Sequence, residues 1–129
     1  MAGKIKELNE GTFDAELGST DHLIIVEFYT NTCPNCRAIA PVYAQLSEEL
    51  HKSATFVIIN AETNPALASR YGVLGVPTFK FFCEGQPIGE LVGSINTTLL
   101  RNTIKDLIRH RKECVAKSTP LTYEIDGYG

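Results

Sequence analysis

Residues 23–36 read LIIVEFYTNTCPNC, an apolar run that ends in two cysteines three positions apart with a proline between them. The β-branched and aromatic residues from 22 to 30 leave no polar face, which predicts a central strand covered on both sides. Glu27 alone interrupts it. From Cys33 onward the apolar period changes: Ile39, Val42, Tyr43, Leu46 and Leu50 recur at intervals of three and four, the spacing of a helix face. Pro41 falls inside that helix and should kink it, since proline removes a backbone donor and collides with the preceding turn. A buried strand therefore gives way to a helix at a pair of thiols.

Working outward, strands and helices alternate. "KIKEL" at 4–8 reads as a short strand, and Thr12 as the cap of a brief helix that opens with Asp14 and Glu16 and ends near Gly18. "TFVIIN" at 55–60 is a second buried strand. Asn64-Pro65 supplies a cap and a first-turn proline for a helix reaching about Tyr71. "TFKFFCEGQPIGELVG" at 78–93 reads as a hairpin turning at Glu84-Gly85-Gln86-Pro87. Asn96 to about Arg111 is amphipathic, with Leu99, Leu100, Ile104, Leu107 and Ile108 on one face. Beyond it periodicity stops, so residues 1–112 are expected to form one domain and 113–129 a loosely ordered, dispensable tail. The order βαβαβαββα implies an α/β fold: helix crossovers make the early strands parallel, the hairpin makes the late pair antiparallel, and helices cover both faces of the mixed sheet.

Composition narrows the function. With 129 residues, 43% of them hydrophobic, the chain suits a single compact core. Twelve basic against fifteen acidic residues give a net charge of −3, and the only basic cluster is "RHRK" at 109–112, so nucleic acid is not an expected partner. No uninterrupted apolar run is longer than Leu23 to Val26, which is too short to cross a bilayer, and "MAGKIKELNEG" lacks the apolar centre of a signal peptide. A cytoplasmic protein without a membrane partner is expected. In a reducing compartment a close cysteine pair signals redox chemistry, half of a zinc site, or plain packing. Zinc needs two more ligands, and Cys83, Cys114, His22, His51 and His110 offer no second short-spaced pair. No metal is expected.

The strand "IIVEFYT", the helix-opening "CPNC", Pro41 beyond the second cysteine, "VPT" at 76–78 and the glycines at 85 and 93 together resemble the thioredoxin family. The resemblance spans roughly residues 4 to 110. It implies the thioredoxin fold, a redox-active disulfide between Cys33 and Cys36, and reduction of disulfide-containing protein substrates. It also implies a monomer with no bound cofactor, recharged by a thioredoxin-reductase-like enzyme that draws on NADPH or ferredoxin. The chain departs from the family pattern at Thr32, where tryptophan is usual, and at Pro34-Asn35, where Gly-Pro is usual. Glu27 replaces the customary aspartate, and Ile58 replaces a lysine that often neighbours it.

Thiol–disulfide exchange needs one thiolate to attack and a second thiol to release the mixed disulfide. Cys33 falls at the helix cap with Pro34 at the first helical position, where unpaired N–H groups lower a thiol pKa, so it is the expected nucleophile. Cys36, one turn deeper, is expected to be more shielded and to resolve. Burial of Glu27 without a partner raises its pKa toward neutrality and suits it to take the proton of Cys36, the role the fold analogy assigns. By the same resemblance the bond before Pro77 is cis and frees the backbone of Val76 to receive an extended substrate. Tyr29, Thr32 and Gly75 join Val76 and Gly93 in outlining the docking surface, with Pro34 and Asn35 between the cysteines. Two other readings remain: a disulfide oxidase or isomerase, hinted at by Pro34, and a non-catalytic peptide-binding module, opposed by the intact cysteine pair. Cys83, beside a turn, is expected to be exposed; it and Cys114 read as incidental thiols, with a regulatory or intermolecular disulfide as the alternative.

Overall fold

The computed structural model describes residues 4–20 and 22–110. Nine elements among the described residues follow the expected order: β1 (Ile5–Glu7), α1 (Phe13–Leu17), β2 (Leu23–Tyr29), α2 (Pro34–Leu50), β3 (Ala54–Asn60), α3 (Pro65–Arg70), β4 (Thr78–Cys83), β5 (Gln86–Val92) and α4 (Thr97–Arg109). The sheet runs β1-β3-β2-β4-β5. β2 is central, parallel to β3 on one side and antiparallel to β4 on the other, with Glu27 opposite Ile58 and Phe79.

Alternation along β2 divides the core. Leu23 and Ile25 pack with Tyr43 and Leu46 of α2 and with Leu100 and Ile104 of α4. Ile24, Val26 and Phe28 pack on the opposite face with Phe13 of α1, Leu67 of α3 and Phe82. Both faces of β2 are buried, which is why its sequence shows no polar side. Glu27 shares the parity of Ile25, so strand geometry turns it toward α2. Burying the side chains of such a strand contributes about 1.5–3 kcal/mol for each large apolar residue.

α2 continues as one helix through the exposed Pro41 to Leu50. Its Tyr43 hydroxyl reaches into the sheet, 2.9 Å from the carbonyls of both Ile25 and Val57, and accepts a bond from the Val57 N–H at 3.2 Å. The phenol ties the helix that carries the cysteines to the two strands behind it.

Several local expectations need correction. Thr12 and Asn64 occupy cap positions, yet neither side chain caps its helix. The Thr12 hydroxyl accepts from the Asn9 N–H instead, while Asn64 bridges the Glu10 N–H and the Asn60 carbonyl. Glu10 takes over at α3, accepting from the Ala66 N–H at 2.8 Å. The hairpin turn is tighter than expected: Glu84 and Gly85 alone connect β4 to β5, both at positive φ (52° and 81°), as a two-residue turn of matching twist requires. Leu99 is exposed while its neighbour Leu100 is buried: one residue turns a helix by about 100°, and Leu100, Ile104 and Leu107 define the core face that position 99 flanks. Cys83 is buried and disulfide-bonded rather than exposed and incidental: strand parity sets it on the core face with Phe79 and Phe81. Cys114 and the tail expected at 113–129 lie outside the described residues.

Candidate active site

β2 ends at Tyr29 and α2 begins at Pro34, so the cysteines lie where the central strand hands over to a helix N-terminus. Cys33 is the N-cap, in extended backbone, and its Sγ accepts the Cys36 N–H at 3.1 Å. Sulfur thus takes the place that a serine or aspartate oxygen fills at most helix starts, with the positive end of the helix dipole directed at it. Cys33 and Cys36 are joined in a disulfide with a Cα–Cα distance of 5.2 Å, well inside the range such a bond spans.

The exposures of the two sulfur residues, 8% for Cys33 and 5% for Cys36, barely differ. Their surroundings do. Cys33 Sγ lies 3.6 Å from the Val76 carbonyl oxygen, across the bond to Pro77, which is cis. Among the described residues Val76 enters no backbone hydrogen bond outside the helices and strands. Its flanks are pinned instead: the Thr78 hydroxyl donates to the Gly75 carbonyl at 2.6 Å, and the Gly93 N–H donates to the Pro77 carbonyl at 2.9 Å. Gly93 adopts φ 92°, which a side chain would resist. Thr32, Pro34, Asn35 and Gly75 are exposed around this front surface, and a hollow of about 280 Å³ separates Asn35 and Pro77 from Ile95 and Asn96.

Cys36 faces the other way. With Glu27, Tyr29, Pro41, Tyr43 and Ile58 it lines an open cleft of about 760 Å³ behind the helix start. Glu27 is 4% exposed, and burial raises its carboxyl to about 8. Tyr29, grouped with the docking residues from sequence, belongs to this rear cleft: its hydroxyl donates to Glu7 Oε2 at 2.7 Å. Burial first, and then that bond, push its phenol pKa upward.

Two residues at the site escaped the sequence reading. Leu74 is wholly exposed, two positions before Val76. An apolar residue inside the loop "GVLGVP" was the available signal, since loops bracketed by glycine seldom bury their tips. Arg37 follows Cys36, and its guanidinium donates to the Asn31 carbonyl at 2.7 Å, bracing the loop before the cysteines. Among the described residues no group of three or more His, Cys, Asp or Glu side chains converges as a metal site.

A cysteine pair at a helix N-terminus, backed by a buried acid and fronted by a backbone carbonyl outside the sheet, is built for disulfide exchange. The thioredoxin family model matches residues 4–106. Thioredoxin 1 of Synechococcus elongatus is 31% identical over 97 residues, covering 75% of this chain and 91% of that protein. A bifunctional thioredoxin reductase/thioredoxin of Mycobacterium leprae is 28% identical over 107 residues, 83% of this chain and 23% of that protein. Among solved structures, a mutant thioredoxin from Halobacterium salinarum superposes with a TM-score of 0.72 at 29% identity, covering 82% of this chain and 94% of that one. The chain belongs to the thioredoxin family. Its activity is that of a protein thiol–disulfide oxidoreductase.

Proposed function

We propose that the protein acts as a dithiol reductant of protein disulfides, with Cys33 as nucleophile, Cys36 as resolving thiol and Glu27 as proton acceptor. The observation that carries this reading is the Cys33 sulfur at the N-cap, accepting the Cys36 N–H and facing Val76. In the reduced protein the Cys33 thiolate attacks one sulfur of the target disulfide. A bond forms between Cys33 and that sulfur, and the second target sulfur leaves as a thiolate and is protonated. Cys36 then gives its proton to the ionised form of Glu27 and attacks Cys33 Sγ. The Cys33–Cys36 disulfide closes, and the first target sulfur leaves as a thiolate that takes up a proton. Two electrons have passed to the target.

Val76 pairs its free backbone with an extended target segment, while Gly75, Pro77, Gly93, Thr32, Pro34 and Asn35 border the place where that segment lies. Tyr29 serves the rear cleft more directly than this surface. The cycle needs an external reductant, supplied by a thioredoxin-reductase-like enzyme linked to NADPH or ferredoxin; the Mycobacterium leprae relative, named for both activities, supports such a partner. The reading implies a monomeric domain over residues 1–112 working in a reducing compartment, the cytoplasm. Among the described residues no helix is long and apolar enough to cross a membrane.

Equilibration of the Cys33–Cys36 couple against glutathione tests the direction of transfer. A potential of about −270 mV is that of a reductant, and one of about −120 mV that of an oxidase. The Asn35 amide between the cysteines adds no charge, so the value should fall between these limits and closer to the first. A value at the oxidising limit would reverse the proposed direction.

A further inference from the structure

Glu27 is a buried acid that nothing answers. Its carboxyl lines the rear cleft, and among the described residues no hydrogen bond or ion pair reaches it. Three polar side chains beside it are engaged elsewhere: Tyr43 on the carbonyls of Ile25 and Val57, Tyr29 on Glu7, and Arg37 on the Asn31 carbonyl. Ile58, in register with Glu27 on β3, presents only hydrocarbon. An unpaired acid in such a place costs several kcal/mol when ionised. The cleft is nonetheless open and, at about 760 Å³, has the size of small-molecule sites, with walls of Ile5, Ala40, Pro41, Ala44 and Ile58.

We propose that this cleft binds a small amphipathic cation, an apolar body bearing one protonated amine or amidine, whose charge pairs with Glu27 while its body lies on Ile5, Pro41 and Ile58. A cation is favoured over an anion because the deepest charged group is an acid, and the exposed Arg37 already donates to Asn31. A neutral ligand leaves the carboxylate without a counter-charge. Because the free carboxyl titrates near 8, pairing at neutral pH displaces a proton, and affinity climbs as pH rises toward 8. Neighbouring groups do not imitate this. The phenols of Tyr29 and Tyr43 are pushed upward by burial, and the disulfide-bonded Cys36 does not titrate. The proposal is independent of any role of Glu27 in exchange.

Phenylpropylamine, phenylpropanol and phenylpropionate, titrated into the oxidised protein and followed by NMR shifts of Ile5, Ala44 and Ile58, provide the test. The amine should bind at least about tenfold more tightly than the alcohol, a difference of about 1.4 kcal/mol. Glu27→Gln should bring the two to parity while phenylpropanol still binds as before. Ile58→Lys, which sets an ammonium across from the carboxyl, should abolish amine binding. Equal affinities for amine and alcohol in the unmodified protein would overturn the proposal, as would an amine preference that survives in Glu27→Gln. Tightest binding of phenylpropionate would assign the cleft to Arg37 and overturn it equally.

Discussion

The front and the rear of the disulfide are made of different materials. In front, Cys33 meets main chain: the Val76 carbonyl, and flanks tied down by Thr78 to Gly75 and by Gly93 to Pro77. Behind, Cys36 meets side chains: Glu27, Tyr29, Tyr43 and Ile58 around a cleft. A surface of backbone reads any polypeptide alike, because every residue offers the same N–H and C=O groups. A cleft of side chains is particular to this chain. A front of backbone imposes little side-chain selection of its own, and the rear sets Glu27 in register with Ile58.

The sharpest way to break that contrast is at the sulfurs. Cys33→Ser should lower insulin reduction by at least about a thousandfold, because the covalent route disappears with its nucleophile. Full turnover in this variant would move the attacking thiol to the rear. Cys36→Ser should instead accumulate a mixed disulfide through Cys33, seen by mass spectrometry as one target per chain. Without that adduct, the assignment of the resolving thiol fails.

Glu27→Gln should slow release of the mixed disulfide by about a hundredfold while leaving its formation nearly intact, the range of a lost general base. The rate of release should also lose its rise with pH toward about 8, the value to which burial lifts this carboxyl. Stability gives a second readout. Folding raises the Glu27 pKa from 4.5 to about 8, so the folded state holds the proton more tightly than the unfolded one. Its contribution is fully present below pH 4.5 and is lost as pH climbs through 8, at up to about 1.4 kcal/mol per unit. Chemical denaturation across that window should show a steeper decline in the unmodified protein than in Glu27→Gln. Parallel curves would mean that the carboxyl has found a partner.

The smallest effect is expected in front. Leu74→Ser should raise KM for protein disulfides about threefold to tenfold and leave kcat unchanged, since an exposed apolar side chain beside the Val76 backbone contributes binding alone. A change confined to kcat would place Leu74 in the chemistry.

Much of this arrangement is legible in the sequence because its causes are local or periodic. The apolar run of β2, the switch from strand to helix at Cys33, the proline after it and the burial of Glu27 each follow from neighbours along the chain. The exceptions have tertiary causes. Asn64 abandons capping because Glu10, far away in sequence, brings a carboxylate to the start of α3. Leu99 is as apolar as its neighbours, but packing selects the face of Leu100, Ile104 and Leu107, and position 99 lies about 100° round the helix from Leu100. Cys83 stands beside a turn, the usual mark of exposure, whereas strand parity carries it inward with Phe81. Tyr29 sits two residues from Glu27 on one strand face, and only the position of β1 shows that its hydroxyl ends on Glu7.

The strand order β1-β3-β2-β4-β5 also sets a timetable for the chain as it leaves the ribosome. β2 and the cysteine pair emerge early, β3 closes one edge after Ala54 to Asn60, and the other edge waits for Thr78 to Cys83. Until then the most apolar strand among the described residues has an open edge, the condition under which nascent chains associate wrongly. The cysteine pair is likewise made before Val76 exists to face it. A growing chain thus carries both sulfurs before the backbone that faces them in the folded protein, at a stage when reducing surroundings keep its thiols apart from those of other chains.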